Sequence, residues 1–366
     1  MLSDEDIMLR CIRLAANGLG SVSPNPLVGC VIVKDGRIIG EGYHEKFGGP
    51  HAEVNAIRSA TEDVAGSTVY VNLEPCDFQG KTPPCTDLLI EKRVKKVIVA
   101  MLDPNPRVNG GGVKKLRAAG VEVELGVCAE AAHILNEVFT YYISKKLPFV
   151  VLKVAQSIDG KVALKNGRSK YITSADSLRR VHELRRTYDS VLVGAGTVRS
   201  DDPLLTVRLV EGRSPKRIIL DGKLSVSTKS KMFRNKDAPT ILFYSKSMEN
   251  KNNIRKKLRE LEALGVETHA LKGRTSTSLS LTLVLRSLTK MQIASVLVEG
   301  GVKIFSDFIN QGLVDKIHIF VAPKIIGAGK SFSDGFELSD VSRSKIIRDL
   351  QFSQVGPDLL LTGYFK

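Results

Sequence analysis

The chain reads His51-Ala52-Glu53, then Pro75-Cys76 after an apolar run, then Pro84-Cys85. One imidazole and two thiolates are a donor set that zinc favours, and three protein ligands leave the fourth tetrahedral position for water. The glutamate two residues beyond the histidine is the right acid to move protons to and from that water. A closed structural site wants four protein donors, and this stretch offers three plus a glutamate, so an open site is expected. Eight residues, Asp77 to Pro84, separate the two cysteines.

Outward from this stretch the pattern alternates strands and helices. Ser3 caps a predicted helix with Ile7, Met8, Cys11, Ile12 and Ala15 on one face, ending near Gly18 or Gly20. Ser23-Pro24-Asn25-Pro26 reads as a loop held extended by its prolines. Asn25 there is either a turn asparagine or a reader of a donor–acceptor edge. Residues 28–33 and 38–43 flank Asp35-Gly36 and predict a hairpin. His44 at its end, taken alone, reads as a surface histidine. A helix opening at His51 puts His51 and Glu53 at the positive end of a helix dipole. Residues 69–73 form a strand with Glu74-Pro75-Cys76 as its exit. Pro84-Cys85 starts the next helix, where a thiol loses its proton readily. Strands over 94–101 and 121–125, a helix over 112–119 and one helix over 129–144 complete a three-layer α/β unit.

H-x-E followed by P-C and a further Cys is the signature of zinc deaminases, in which the Glu is not a ligand. The usual pattern puts two residues between the cysteines. The longer spacer here is met in one family. Ser23-Pro24-Asn25-Pro26-Leu27-Val28-Gly29, His51-Ala52-Glu53 and Leu73-Glu74-Pro75-Cys76 through Gly80-Lys81-Thr82-Pro83-Pro84-Cys85 resemble the deaminase domain of the bifunctional riboflavin-biosynthesis deaminase/reductases. The resemblance implies a cytidine-deaminase-like fold, zinc on His51, Cys76 and Cys85, and Glu53 as proton shuttle. It also implies substrate contacts at Asn25, His44 and Lys81. Where that family usually reads Cys-Ser-His, this chain has Cys76-Asp77-Phe78. A phenyl ring keeps base stacking and loses hydrogen bonding, and Asp77 adds a negative charge near the metal.

With 366 residues, 43% hydrophobic and 25% charged, the chain has room for two domains of ordinary soluble composition. No apolar run approaches the roughly 18 residues of a membrane span. The acidic start, Ser3-Asp4-Glu5-Asp6, resembles neither a secretory signal nor a transit peptide, so a cytoplasmic enzyme is expected. The five cysteines do not suggest a disulfide framework. Cys11, Cys30 and Cys128 read as buried small hydrophobes. The net charge of +15 is concentrated between Lys216 and Lys257. The basic runs within it, such as Lys229-Ser230-Lys231 and Lys251 through Lys257, carry no interleaved aromatics to stack bases, so solvated turns and a helix face are expected.

Lys145-Lys146-Leu147-Pro148 marks the seam between a domain at 1–145 and another at 146–366. After it come a strand over 149–155, a helix over 175–187, a strand ending in a small-residue turn at Gly194-Ala195-Gly196-Thr197, strands over 218–221 and 240–244, and helices over 251–264 and 281–290. Ser295-Val296-Leu297-Val298-Glu299-Gly300-Gly301 is a buried strand passing into a helix, a geometry that receives phosphate on backbone N–H groups. Without G-x-G-x-x-G, the Gly-Gly reads equally as a cofactor loop or as tight packing. Glu299 anchors a ligand hydroxyl or caps the turn.

Lys153 through Lys161, Gly194 through Thr197, Asp201-Asp202-Pro203 and Val298 through Gly301 resemble the reductase domain of the same family. This implies a dihydrofolate-reductase-like fold using NADPH. Cofactor contacts are implied at Ala155, Thr197, Asp201 and the run Gly300, Gly301, Val302, Lys303, Ile304, Phe305 and Ser306. Tyr171 stands where some members carry a cofactor-contacting Trp. Sugar and phosphate contacts are implied at Ser169, Arg185, Leu205, Arg208 and Glu299. The expected partners are small phosphorylated pyrimidines and further copies of the chain (dimer or tetramer), not nucleic acid or membrane. A competing reading, from the zinc motif and the basic charge, is a nucleic-acid (tRNA) base deaminase with a C-terminal binding domain. A third has one domain catalytically silent, with Asp77 and Phe78 making the first the candidate.

Overall fold

Short runs of branched apolar residues give two large β-sheets, one in each of two units, 1–147 and 148–366. The computed structural model describes residues 3–79, 83–169, 172–249, 252–273, 275 and 278–365. The boundary between the units falls between Leu147 and Pro148, inside the Lys145–Pro148 stretch and two residues after position 145.

The first unit contains α1 (Asp4–Ala16), β1 (Gly29–Lys34), β2 (Arg37–Tyr43), α2 (Ala52–Arg58), β3 (Thr68–Val71), α3 (Cys85–Glu91), β4 (Lys96–Val99), α4 (Gly111–Ala118), β5 (Glu122–Leu125), α5 (Ala129–Leu135) and α6 (Glu137–Lys145). Its sheet runs β2-β1-β3-β4-β5. Pairing is antiparallel around β1 and parallel from β3 to β5. Side chains alternate across a strand. Cys30, Ile32, Val69, Val71, Val97 and Val99 accordingly pack with Ala52, Ala56, Leu89 and Leu116 of α2, α3 and α4. Val31, Tyr70 and Ile98 pack on the other face with Ile7, Met8, Ala132 and Phe139 of α1, α5 and α6. The result is the expected three-layer α/β/α unit.

Ser3 and Asp6 form a capping box at the start of α1. Helix α2 lies so close on β2 that a Cβ at Gly42 would sit 2.3 Å from the Ala56 nitrogen. That contact fixes the helix whose start carries His51 and Glu53.

Three local expectations change in this unit. The segment 22–25 turns back on itself, with Asn25 N–H donating to Val22 O at 2.9 Å, instead of staying extended. The helix expected over 129–144 is two helices, because Asn136 leaves helical geometry between them. Its side chain is engaged by Leu27, accepting from Leu27 N at 2.8 Å and donating to Leu27 O at 2.9 Å. Cys11 and Cys30 are buried, whereas Cys128 is half-exposed and adopts φ +56° ahead of α5.

The second unit contains β6 (Phe149–Ser157), β7 (Ala163–Leu164), α7 (Ala175–Thr187), β8 (Ser190–Gly194), α8 (Ala195–Asp201), β9 (Lys216–Leu220), α9 (Lys231–Arg234), β10 (Thr240–Ser245), α10 (Asn252–Ala263), β11 (Val266–Leu271), α11 (Leu281–Lys290), β12 (Ser295–Gly300), α12 (Val302–Asn310), β13 (Lys316–Ala322), β14 (Gly329–Lys330), β15 (Ile347–Val355) and β16 (Asp358–Phe365). The large sheet runs β11-β10-β9-β8-β12-β6-β13-β16-β15. It is parallel from β11 to β13, with β16 and β15 antiparallel at one end. β12 thus lies between β8 and β6, and the C-terminal ends of these strands, where open α/β sheets bind ligands, adjoin. The expected turn at Gly194–Thr197 is instead the strand end and first turn of α8. Among the described residues no helix is long and apolar enough to cross a membrane.

Candidate active sites

In the first unit, His51 is the N-cap residue of α2, and Glu53 in its first turn is buried, 3% exposed. Cys76 lies beyond β3, and Cys85 is the first residue of α3. The start of α3 is latched to Cys76: Cys85 N–H donates to its Sγ at 3.4 Å, and Thr86 N and Oγ1 donate to its carbonyl at 3.1 and 3.2 Å. The long spacer therefore leaves and returns to one point. His51 Nδ1 lies 3.2 Å from Cys85 Sγ and 3.6 Å from Cys76 Sγ. All three donor atoms fall within 4.8 Å of one another. Zinc–ligand bonds of about 2.0–2.3 Å at a tetrahedral angle separate nitrogen from sulfur by roughly 3.6 Å, so the triad fits the ion.

The electrostatics agree. Burial, then the charge of Cys76, pushes the Glu53 carboxyl above the usual carboxylate range. Cys76 is held down at about 4 by the Cys85 hydrogen bond and, against burial, by His51. Cys85 is pushed well above the ordinary thiol range by Cys76, burial and Glu53. With Cys76 ionised, Glu53 and Cys85 beside it resist deprotonation, and a divalent cation relieves that conflict.

His44 corrects its solitary reading as a surface residue: it is 3% exposed. Its Nδ1 donates to Pro50 O at 2.9 Å, leaving Nε2 to accept from Asn25 Nδ2 at 3.1 Å. The His44 ring stands edge-on to His51, with centroids 5.7 Å apart. Asn25, His44 and the metal ligand therefore form one connected group. Lys81 lies outside the described residues. Asp77 is turned against α4, where a Cβ at Gly111 would sit 2.3 Å from its Oδ2, and its Oδ1 is buried with no hydrogen bond among the described residues. Sequence reading overlooked Glu74, whose buried carboxylate accepts from Asp103, Gly110 and Val113 N–H groups at 3.2, 2.9 and 3.1 Å. A charged residue flanked by Leu73 and Pro75 at a strand exit was the available signal.

In the second unit, a Cβ on Gly301 would lie 3.1 Å from Thr197 Oγ1, and one on Gly194 would lie 2.8 Å from Ile304 Cγ1. The β8–α8 and β12–α12 junctions therefore meet, bringing Thr197, Gly300, Gly301 and Ile304 together. Phe305 and Ser306 are buried, and Ser306 Oγ donates to Asp334 O at 2.7 Å. Val302 is half-buried and Lys303 exposed. Ala155 on β6 and Asp201 at the end of α8 are half-buried. Glu299 neither caps the turn nor stands unpaired. It holds Arg185 through both carboxylate oxygens and Lys153 at 3.1 Å. Burial alone would raise its carboxyl, but Arg185 and Lys153 hold it at about 2. Lys153, a cation inside an otherwise apolar strand, belongs to the sequence pattern but had no role assigned from it. Leu205 is buried with φ +55°, and Arg208 is exposed nearby in the chain. No hydrogen bond among the described residues ties Ser169 to this group, and Tyr171 lies outside them.

Residues 1–101 match the cytidine and deoxycytidylate deaminase zinc-binding region, and residues 148–361 match the RibD C-terminal domain. The riboflavin biosynthesis protein RibD of Aquifex aeolicus is 44% identical over 99% of this chain and 98% of its own length. The crystal structure of a diaminohydroxyphosphoribosylaminopyrimidine deaminase/5-amino-6-(5-phosphoribosylamino)uracil reductase from Thermotoga maritima is 45% identical with TM-score 0.85, covering 99% of this chain and 98% of that one. Acinetobacter baumannii RibD is 37% identical with TM-score 0.87, covering 99% of both chains. Fold and sites together define a bifunctional enzyme, a zinc-dependent deaminase joined to an NADPH-dependent reductase. The chain belongs to the RibD family of riboflavin-biosynthesis proteins. The nucleic-acid alternative is not favoured, because the half it would assign to binding matches the RibD C-terminal domain.

Proposed function

We propose that residues 1–145 deaminate 2,5-diamino-6-ribosylamino-4(3H)-pyrimidinone 5′-phosphate and residues 146–366 then reduce the ribosyl group to ribityl. The observation that carries the reading is the convergence of His51, Cys76 and Cys85 beside the buried Glu53. His51, Cys76 and Cys85 would hold zinc, which when bound supplies Lewis-acid activation of water. Glu53 carries the proton from that water to the departing ammonia, and its burial suits a carboxyl that must be protonated in mid-cycle. Asn25 and His44 orient the pyrimidine, and Lys81 meets its phosphate.

In the second unit Ala155, Tyr171, Thr197, Asp201 and the run 300–306 would hold NADPH, which supplies the hydride for C1′. Ser169, Arg185, Leu205, Arg208 and Glu299 bind the sugar phosphate, with Leu205 contributing through its backbone because its side chain is buried. Arginine suits the phosphate because its planar fork matches the oxygens.

We place the enzyme in the cytoplasm as a homo-oligomer. Strand β15, at the sheet's edge, exposes Leu350 and Phe352 at 57% and 77%, which favours pairing with a second copy.

Glu53→Gln tests the division of labour. Ammonia release should fall on the order of 10²–10⁴-fold, with NADPH oxidation on pre-deaminated substrate preserved. Loss of both activities in a folded variant would contradict two separate sites.

A further inference from the structure

The segment between α8 and β9 carries Arg208 and has no helix or strand of its own. It is pinned to α7 at three points, the outermost being Arg186 Nη1, which donates to Glu211 O at 3.1 Å. Arg185 Nη1 donates to Thr206 O at 3.2 Å. One turn earlier, His182 Nδ1 accepts the Arg208 N–H at 2.8 Å and, more weakly, the Leu209 N–H at 3.4 Å. The Arg208 side chain is held in turn, its Nη1 donating to Thr206 Oγ1 at 2.6 Å.

His182 is 1% exposed. An Nδ1 that accepts N–H groups leaves the ring proton on Nε2, so this contact requires neutral imidazole. Burial, and then the charges of Arg185 and Arg208, hold its pKa down at about 4. The two arginines differ in their partners. Arg185 is neutralised by Glu299, whereas Arg208 forms no direct ion pair among the described residues and feels the carboxylate of Asp237 only at longer range. A cation so placed, with its main chain fixed, is preorganised for an anion.

We propose that His182 is a positioning residue for the reductase substrate: its Nδ1 lone pair fixes the main chain of Arg208 and so aims that guanidinium at the phosphate monoester. The inference rests on the reading of Arg208 as a phosphate contact. His182 touches neither hydride donor nor acceptor. Its removal therefore weakens binding of the phosphorylated substrate and leaves the hydride step alone.

The experiment uses full-length enzyme, NADPH, and the deaminated substrate with and without its 5′-phosphate. His182→Leu should raise KM for the phosphorylated substrate about tenfold, the scale of one lost hydrogen bond, with kcat and the KM for NADPH nearly unchanged. The dephosphorylated substrate should react as with the parent enzyme. In His182→Asn, Oδ1 takes the place of Nδ1 as acceptor and most of the lost affinity should return. Added to Arg208→Ala, His182→Leu should have little further effect. A lower kcat, a weaker NADPH interaction, or equal losses on both substrates would assign His182 to general packing and overturn the proposal. If Arg208→Ala raises KM and His182→Leu does not, the inference alone fails. If Arg208→Ala itself leaves KM unchanged, the phosphate reading fails and takes the inference with it.

Discussion

Arg185 presents Nε and Nη2 to the two carboxylate oxygens of Glu299 at 2.6 and 2.9 Å, joining the last turn of α7 to the end of β12. Lys153 approaches the same carboxylate from β6, so three elements share one buried anion. Two cations and one anion leave this cluster with a surplus positive charge where the sugar phosphate is proposed to lie.

Glu299→Gln keeps the shape and removes the anion. Breaking a buried ion pair from one side costs about 3–5 kcal/mol, because the partner charges remain desolvated. A clearly lower urea midpoint and weakened NADPH oxidation are expected, with ammonia release retained in the folded protein. An unchanged midpoint would mean that the carboxylate does not hold these elements together.

Cys85→Ser removes one sulfur from the metal triad while leaving the Cys85 N–H to Cys76 Sγ latch possible. Metal analysis should show zinc below one per chain, and ammonia release should be lost. NADPH oxidation on deaminated substrate should continue. Full zinc occupancy in the variant would show that the ion is held elsewhere.

Asn136→Ala tests the link between the α5–α6 break and the substrate loop. The asparagine satisfies Leu27 N and O, two residues beyond Asn25. Asn72 Nδ2 also donates to Leu27 O, at 2.9 Å, so the substitution leaves the Leu27 N–H as the unpaired group; an unpaired buried backbone group costs about 1–3 kcal/mol. The thermal midpoint should fall and the deaminase KM should rise. If KM stays constant while stability drops, Asn136 supports the fold without setting the loop.

His318 gives a pH signature to the second unit. It is buried on β13, its Nδ1 is 2.9 Å from Thr362 Oγ1, and burial, then Lys316 and Arg180, hold it down at about 3 from 6.5. The unfolded chain takes up this proton near pH 6.5 and the folded one does not until about 3. Its contribution to stability is therefore complete above 6.5 and is lost as pH falls from 6.5 to 3. His182, held at about 4, acts in the same direction. Urea midpoints should decline from pH 7 to 4, and His318→Gln should flatten the slope by up to about 1.4 kcal/mol per pH unit. An identical slope in the variant would exclude His318 as a source.

The sequence by itself determined the ligand types and the alternation of strands and helices. His51, Glu53, Cys76 and Cys85 were readable because metal chemistry demands particular atoms, and α7 and α11 have their expected bounds because local periodicity suffices for an amphipathic helix. What only the tertiary structure decided depends on contacts between distant segments. Asn136 breaks a helix because Leu27, 109 positions away, needs its amide. His44 is buried because Asn25 and Pro50 close over it. Glu299 is an ion-pair hub because the order β8-β12-β6 brings Lys153 beside it. Local propensity carries no information about which remote group will satisfy a buried charge or a broken backbone, and those partnerships shape both sites.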